Sequence, residues 1–379
     1  MFETIYLKYM LMKKRILIDA TTASRRIDGL TQYILNTALY LDTSKAAYTM
    51  IFRRGECPEN YAEWFAEKDI ATEEVDIRPI GPVRDFQFAC WLSKNEKRFD
   101  AAFFPSNQFP VATSLPCVYT VHDLIYEEFP EQLGKLSGLK RWYLHWNVHK
   151  GLKKAKRVIA VSEYTKREIK KYHPNVDEGK IEVVYEGWEH LRNVRPALYT
   201  APFEHYILYV GSSRGHKNLN RLIDAAGILK DRLPEGWGVV IAGNNSMFTR
   251  EQKTKICNVN AGRKVIELTG WLSEEELAGC FSRASLFVFP SLSEGFGIPV
   301  LEAYYYGIPL LLSNHASLPE VAGDAAIYFN PYDADDIARK LLEAIFADHG
   351  KLIETQKRQL GLYSWIKTAE KVDNLLLNL

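Results

Sequence analysis

The chain has 379 residues, 47% hydrophobic and 25% charged, the composition of an ordinary soluble globular protein and a length that suits two domains. Lys plus Arg number 48 against 47 Asp plus Glu, which excludes the strongly basic balance of a nucleic-acid binder and leaves only local charge informative. The five cysteines, Cys57, Cys90, Cys117, Cys257 and Cys280, are scattered without a C-x-x-C pair, which argues for reduced cytoplasmic thiols over disulfides or structural zinc.

The opening residues place an acid, Glu3, before any base and hold no proper apolar core, so they make a poor signal peptide and Met12 is a candidate start. No stretch approaches the roughly 20 apolar residues of a membrane span. Beyond Met12, short apolar runs alternate with amphipathic ones, the pattern of parallel α/β sheets with helices on both faces. Strands are expected at Arg15–Asp19, Tyr48–Arg53, Ala101–Phe104, Val118–Val121, Arg157–Val161 and Ile181–Val184. A second series comes at Tyr206–Val210, Gly238–Ala242, Val265–Leu268, Leu286–Phe289, Pro309–Ser313 and Ala326–Phe329. Between the two series Gly187–Phe203, with Pro196 and Pro202, has little periodicity and reads as a linker. This pattern implies two Rossmann-like domains facing a cleft, residues 1–190 and 205–358 with 191–204 between them, and ligands are expected beyond the carboxyl ends of the strands.

Several loops at those ends carry chemistry. Arg25-Arg26-Ile-Asp28-Gly29 replaces a tight Rossmann turn with a longer loop after the first strand, and His122-Asp123 directly succeeds the Val118–Val121 strand. Residues 134–157 hold eight Lys or Arg and no acid, interleaved with Trp142, Tyr143 and Trp146. Leu136, Leu139, Tyr143 and Trp146 fall on one helical face, so this stretch is either a docking surface for anionic lipid or a core face backed by solvated cations. In the second half, Tyr209-Val-Gly211-Ser-Ser-Arg214-Gly215-His216-Lys217-Asn218-Leu219 reads as strand, glycine turn and helix entry. Cations there are disfavoured by the helix dipole unless an anion compensates them. Loops after Ala242, at Asn244–Asn245, and at Thr269–Leu272 border the same edge. Asp333-Ala-Asp335 has the D-x-D form of a metal site, but its setting is that of a helix cap.

The most informative segment runs from Pro290 to Glu302. An apolar strand leads into Glu294-Gly295-Phe296-Gly297, and Pro299 suits the first turn of the next helix, because its missing N–H is one the helix leaves unpaired. Free N–H groups at that helix start favour a phosphate, while Glu294 and Glu302 can accept bonds from the hydroxyls of the molecule that carries the phosphate. A molecule that is part phosphate and part polyol fits, such as a nucleotide sugar.

With seven residues between its two glutamates, the segment Glu-Gly-Phe-Gly-Ile-Pro-Val-Leu-Glu resembles the E-x7-E motif of the family 4 retaining glycosyltransferases. Nearly the whole chain matches that family's pattern, loosely through Glu56–Phe99. The resemblance implies the GT-B arrangement, with residues 359–379 forming a last helix that crosses back to the first domain, where Trp365 packs. It places Glu294 at the donor sugar and Glu302 at the ribose, with Gly295, Phe296 and Gly297 in the donor loop. Tyr209–Leu219 resembles the Y-V-G-x(4–5)-K-N-L segment, which gives Gly211 and Lys217 to the diphosphate. His216 stands where many members have Arg, so Arg214 has to supply a second charge. The T-V-H-D-L segment puts His122 at the transferred sugar with Asp123 beside it, and Gly29 on the acceptor or phosphate loop, with Arg25 and Arg26 as further candidates. The resemblance therefore implies a retaining hexosyltransferase, with Glu294, His122 and Lys217 as catalytic residues. It would move a hexose from a nucleoside diphosphate sugar to a glycan or lipid-linked acceptor in cell-surface polysaccharide synthesis. It needs no metal or other cofactor and works in the cytoplasm, with peripheral contact to an anionic membrane if the 134–157 stretch is the docking surface. A glycoside hydrolase, a nucleotide-sugar epimerase of the same architecture and a catalytically silent nucleotide-sugar-binding protein are the alternatives.

Overall fold

The computed structural model describes residues 13–134, 136–243 and 248–379; the expected start at Met12 and the Asn244–Asn245 loop lie outside the described residues. Among the described residues thirteen strands form two sheets, and every neighbouring pair is parallel. The first sheet contains β1 (Lys14–Asp19), β2 (Ala46–Arg53), β3 (Ala71–Val75), β4 (Ala101–Phe104), β5 (Cys117–Val121), β6 (Arg157–Ala160) and β7 (Ile181–Val183), in the order β3-β2-β1-β4-β5-β6-β7. The second contains β8 (His205–Val210), β9 (Trp237–Ala242), β10 (Ile266–Gly270), β11 (Leu286–Phe289), β12 (Leu310–Ser313) and β13 (Ile327–Phe329), in the order β10-β9-β8-β11-β12-β13.

Helices cover both faces of each sheet, so central strands are buried throughout and read as unbroken apolar runs, as in Leu286-Phe-Val-Phe289. β3 breaks that rule. Its sequence, Ala-Thr-Glu-Glu-Val, is largely exposed at the sheet edge and carries no apolar run to announce it, which is why the other twelve strands are legible from hydrophobicity and this one is not.

The chain divides into two units, residues 1–187 with 364–379, and residues 188–363. Two expected boundaries move. Residues 191–204 are not a free linker: the Ala197 amide donates to the Glu275 carbonyl at 2.8 Å, and a Cβ on Gly279 would lie 2.0 Å from the Ala197 oxygen, so this segment is packed on the second unit. The final segment joins the first unit at Ser364, not at 359. Ser364 caps the Trp365–Leu377 helix by accepting from the Ile366 amide. That helix packs on the Gly29–Leu39 helix and on β4 and β5, with Trp365 fully buried.

Asp19, the last residue of β1, is held at the carboxyl edge of the first sheet by a fully buried ion pair with Arg84 of the Pro82–Asn95 helix, and its other oxygen accepts from the Thr21 amide at 3.0 Å. Removing one member leaves a buried charge without its partner, which costs roughly 3–5 kcal/mol. Asp19→Asn and Arg84→Met are each expected to destabilise the protein by about that much, and the double variant by clearly less than their sum. Urea denaturation of the four proteins measures the coupling; strictly additive losses would show that the pair is not what holds these groups.

Candidate functional site

In the second sheet the strand order reverses between β8 and β11, which lie side by side while their chains leave in opposite directions. Loops that diverge there leave room for a ligand at the carboxyl edge. The loop after β8 turns at Gly211, where φ is +158° and an added Cβ would stand 2.9 Å from the Tyr209 hydroxyl. A Cβ on Gly243, after β9, would lie 2.3 Å from the Gly211 carbonyl, so the two strand ends approach each other as only glycine permits.

A short 3₁₀ turn, Gly215–Lys217, then leads to Asn218, which adopts the left-handed region at φ +58° before the Leu219–Leu229 helix. Its side-chain amide donates to the Pro290 carbonyl at 3.0 Å and to the Pro331 carbonyl at 2.6 Å. With the Leu292 amide donating to the His216 carbonyl at 2.7 Å, these bonds tie the loop after β8 to the loop after β11.

The β11 loop is shaped by Ser317, whose hydroxyl lies 3.0 Å from both the Glu294 and the Phe296 carbonyls. Gly297 takes φ +103°, a conformation costly for any residue with a Cβ, and opens the Ile298–Tyr305 helix with Pro299 in its first turn. The Phe296 ring is turned into the core against Tyr363, 5.5 Å between centroids; the half-buried Gly295 lies between it and Glu294.

These two loops bring together residues 77 apart in sequence. Lys217 Nζ lies 2.7 Å and 2.9 Å from the two oxygens of Glu294, and 5.3 Å above the Phe289 ring. The side chains are 20% and 10% exposed, enough to be reached and little enough that their charges are poorly screened. Glu302 stands in the next helix, its Oε1 4.0 Å from Nε2 of the buried His190, beyond hydrogen-bond range. Arg214 is exposed at the start of the 3₁₀ turn. His216 is buried, and burial pushes its imidazole down to about 4, with Lys217 and Arg214 acting in the same direction. At neutral pH it adds no charge beside Lys217.

In the first unit His122 comes directly after β5. Its backbone amide donates to the Asn107 side chain at 2.8 Å, its carbonyl accepts from the Thr165 hydroxyl at 3.0 Å, and Nε2 sits 2.8 Å from the Pro105 carbonyl. Burial alone would depress this imidazole, but the neighbouring Glu186 outweighs it and raises the His122 pKa. Asp123 turns back to accept from the Ile125 amide at 3.2 Å. Gly29 is the exposed first residue of the Gly29–Leu39 helix, capped by Asp28, which accepts from the Thr31 amide at 2.8 Å. The Arg25 and Arg26 side chains are exposed, that of Arg25 lying 3.7 Å from Glu59.

Two sequence readings are settled by contacts. Asp333 caps the Ala334–Ile345 helix through the amides of Asp335 and Asp336, the role its setting suggests. Residues 137–154 form a helix, but the stripe Leu136, Leu139, Tyr143 and Trp146 is not its core face; the buried residues are Asn147, Val148, Gly151 and Leu152. Leu136, Leu139 and Trp142 are exposed by 70%, 66% and 65%. Sequence reasoning also misses Asn218, Ser317 and Glu186. The K-N-L wording contains Asn218, and an Asn before a helix is a fair signal for a left-handed residue; nothing local marks the other two.

Two family profiles match the chain: "Glycosyltransferase Family 4" over residues 27–190 and "Glycosyl transferases group 1" over residues 197–358. The chain is similar to the O-antigen chain mannosyltransferase B of Escherichia coli, 27% identical over 257 residues, which are 65% of this chain and 66% of the relative. It is also similar to the serotype-specific mannosyltransferase WbdA of Escherichia coli, 28% identical over 313 residues, 79% of this chain and 37% of the relative. The chain thus spans less than two thirds of the length of each. Among solved structures, Anabaena HepE in complex with UDP and glucose matches with a TM-score of 0.73 at 14% identity, over 97% of this chain and 100% of that one, a likeness of fold.

Because folded His216 stays neutral down to about 4 while the unfolded chain takes up its proton near the ordinary 6.5, its contribution to stability is full above pH 6.5 and lost as the pH falls toward 4. The shift corresponds to about 3 kcal/mol at most. His173, buried and likewise held down to about 4, adds a loss of the same sign in the same window. Thermal denaturation between pH 7 and 4 is expected to show a falling midpoint, with a shallower slope in His216→Gln; an unchanged slope would mean that His216 is not buried neutral.

Proposed function

The chain belongs to the family 4 glycosyltransferases and has their GT-B fold, and from that premise we propose that it is a retaining hexosyltransferase acting on a nucleoside diphosphate sugar. The observation that carries this reading is the Lys217–Glu294 pair at the switch point of the second sheet, with Glu302 in the next helix. A diphosphate entering there exchanges Glu294 for itself as the partner of the Lys217 ammonium, and the freed carboxylate accepts from hydroxyls of the attached sugar. Glu302 takes the ribose hydroxyls, and Arg214, exposed at the loop, can swing toward the phosphates. His122 meets the transferred sugar, and the Gly29 loop borders the acceptor.

In this reaction the departing diphosphate carries the developing charge, and Lys217 with the backbone amides of the glycine loops stabilises it from fixed positions. Same-face substitution, with the leaving phosphate helping to deprotonate the acceptor, needs no enzyme nucleophile and no metal. A glycoside hydrolase built on Glu294 and Glu302 would have no use for Lys217. The named relatives are an O-antigen chain mannosyltransferase and a serotype-specific mannosyltransferase, which supports mannose as the hexose and a growing surface glycan or lipid-linked precursor as the acceptor.

One surface observation supports an enzyme working at a membrane. Leu136, Leu139 and Trp142 are exposed, Trp142 stacks on Trp146 with Lys150 Nζ 6.0 Å from the centroid of that second ring, and the Tyr143 hydroxyl donates to Asp85 at 2.8 Å, joining this helix to the Pro82–Asn95 helix. That second helix exposes Val83 and Phe86, with Ile80 just before it. Apolar side chains rimmed by cations suit the interface of an anionic bilayer. Arg141 contributes less, since Glu127 already pairs with it at 2.7 Å. Among the described residues no helix is long and apolar enough to cross a membrane, so contact of this kind is peripheral.

Lys217→Ala is expected to lose roughly 2–4 kcal/mol of transition-state stabilisation in kcat/KM with the true donor, identified by thermal shift across a panel of nucleotide sugars. In calorimetry with the free nucleoside diphosphate, Glu302→Ala is expected to weaken binding more than Glu294→Ala. Turnover of Lys217→Ala within threefold of wild type would remove that residue from the diphosphate site.

Co-sedimentation with vesicles is expected to need anionic lipid, to fade with salt, and to drop when Trp142 and Phe86 are both changed to Ser. Sedimentation indifferent to lipid charge and to salt would argue against membrane contact.

A further inference from the structure

We propose that Glu186 is the residue that positions the His122 imidazole, and that the carboxyl-terminal helix fixes Glu186 in turn. The proposal rests on reading His122 as the group at the transferred sugar. Every contact it uses lies within the first unit.

Nε2 of His122 lies 2.8 Å from the Pro105 carbonyl. A carbonyl oxygen only accepts, so Nε2 carries a hydrogen. In a neutral ring Nδ1 would then present a lone pair, yet Oε1 of Glu186 stands 3.5 Å from it, in a side chain only 6% exposed. Two lone pairs facing each other in a buried site repel, and a proton on Nδ1 turns that repulsion into an ion pair. His122 is therefore held by a carbonyl on one side and a carboxylate on the other, an arrangement that favours its protonated form and fixes its orientation. Tyr33 closes the ring's face, edge-on with centroids 4.6 Å apart, and Asp123 adds a second negative charge nearby.

The main chain on both sides of Glu186 is fixed by the last helix. The residue before it, Tyr185, offers its carbonyl to the Thr368 hydroxyl at 2.6 Å. The residue after it, Gly187, lies so close to the start of the last helix that a Cβ would stand 2.0 Å from the Trp365 amide nitrogen and 2.5 Å from the Ser364 carbonyl carbon. Trp365 also packs on Tyr33, centroids 6.1 Å apart, and the Tyr33 hydroxyl bonds Thr120 at 3.1 Å. The last helix thus sets both neighbours of the imidazole, the carboxylate and the aromatic ring.

The test is NMR titration of the His122 ring in the full-length protein, assigned by its loss in His122→Asn, alongside pH profiles of kcat. Wild-type His122 is expected to titrate above the ordinary 6.5, and Glu186→Gln to lower that midpoint by about 1–3 pH units, as removal of a neighbouring opposite charge does. The high-pH limb of kcat is expected to move down with it, while donor KM stays within about threefold of wild type. Glu186→Asp, whose carboxylate is withdrawn by one methylene, is expected to fall between the two. Thr368→Val, which keeps the carboxylate and cuts its tether, is expected to lower the midpoint less than Glu186→Gln. A wild-type midpoint below 6.5, or one unmoved in Glu186→Gln, overturns the proposal, and the first of these needs no Glu186 variant to fold. Wild-type turnover in His122→Asn would instead overturn the catalytic reading of His122, while a shifted midpoint would still support the pair.

Discussion

Parallel strand pairing is the constraint on which the site depends. A parallel neighbour is reached only by a crossover, so every strand in both sheets ends at the same edge, and the loops at that edge are where the chain is free to carry chemistry. The order then decides which loops part. In the first sheet the reversal falls between β1 and β4, and in the second between β8 and β11. Glycines 211 and 297, the lysine and both glutamates come from the loops and helix starts at the second reversal. Asp19 and the Pro105 carbonyl that receives His122 come from the first.

The same constraint decides which parts of the fold are legible in the sequence. Strands buried on both faces must be apolar along their whole length, and such runs stand out; β3, at an edge with one face in solvent, obeys no such rule and is invisible in Ala-Thr-Glu-Glu-Val. The glutamates and the lysine are readable because a glycine loop entering a helix limits which residues fit. Their pairing is not. Nothing in the spacing of Lys217 and Glu294 says that they meet, since contact depends on β8 and β11 lying together and on Asn218 tying their loops.

The Ser137–Lys154 helix shows the opposite failure, a pattern that is present and misleads. Its apolar stripe at helical spacing includes Leu136 and Leu139, which are exposed, whereas the face turned inward contains Asn147 and Gly151. Both have backbone reasons to be there. The Asn147 amide exchanges two 2.9 Å bonds with the Phe109 main chain, and a Cβ on Gly151 would lie 2.7 Å from the Tyr119 ring. Hydrophobic periodicity cannot register a position chosen for closeness or for pairing the main chain of a loop. The exposed stripe is then left for another surface.

Charge at the loops after β8 and β11 is sparse for a site proposed to receive a diphosphate. His216 is buried neutral where a permanent cation would be useful, and Arg214 lies out in solvent, so Lys217 is the cation held in place by the fold. Its charge is compensated by Glu294. A diphosphate that captures Lys217 strands a nearly buried carboxylate, and desolvated charge without a partner is costly. In the proposed reaction, hydroxyls of the attached hexose donate to Glu294 at the moment its lysine leaves. The free nucleoside diphosphate offers no such donors at that position, so the pair favours the loaded donor over its own product, and the bias vanishes once the sugar has moved. On the proposed reading, the ion pair re-forms behind the spent nucleotide and assists its release.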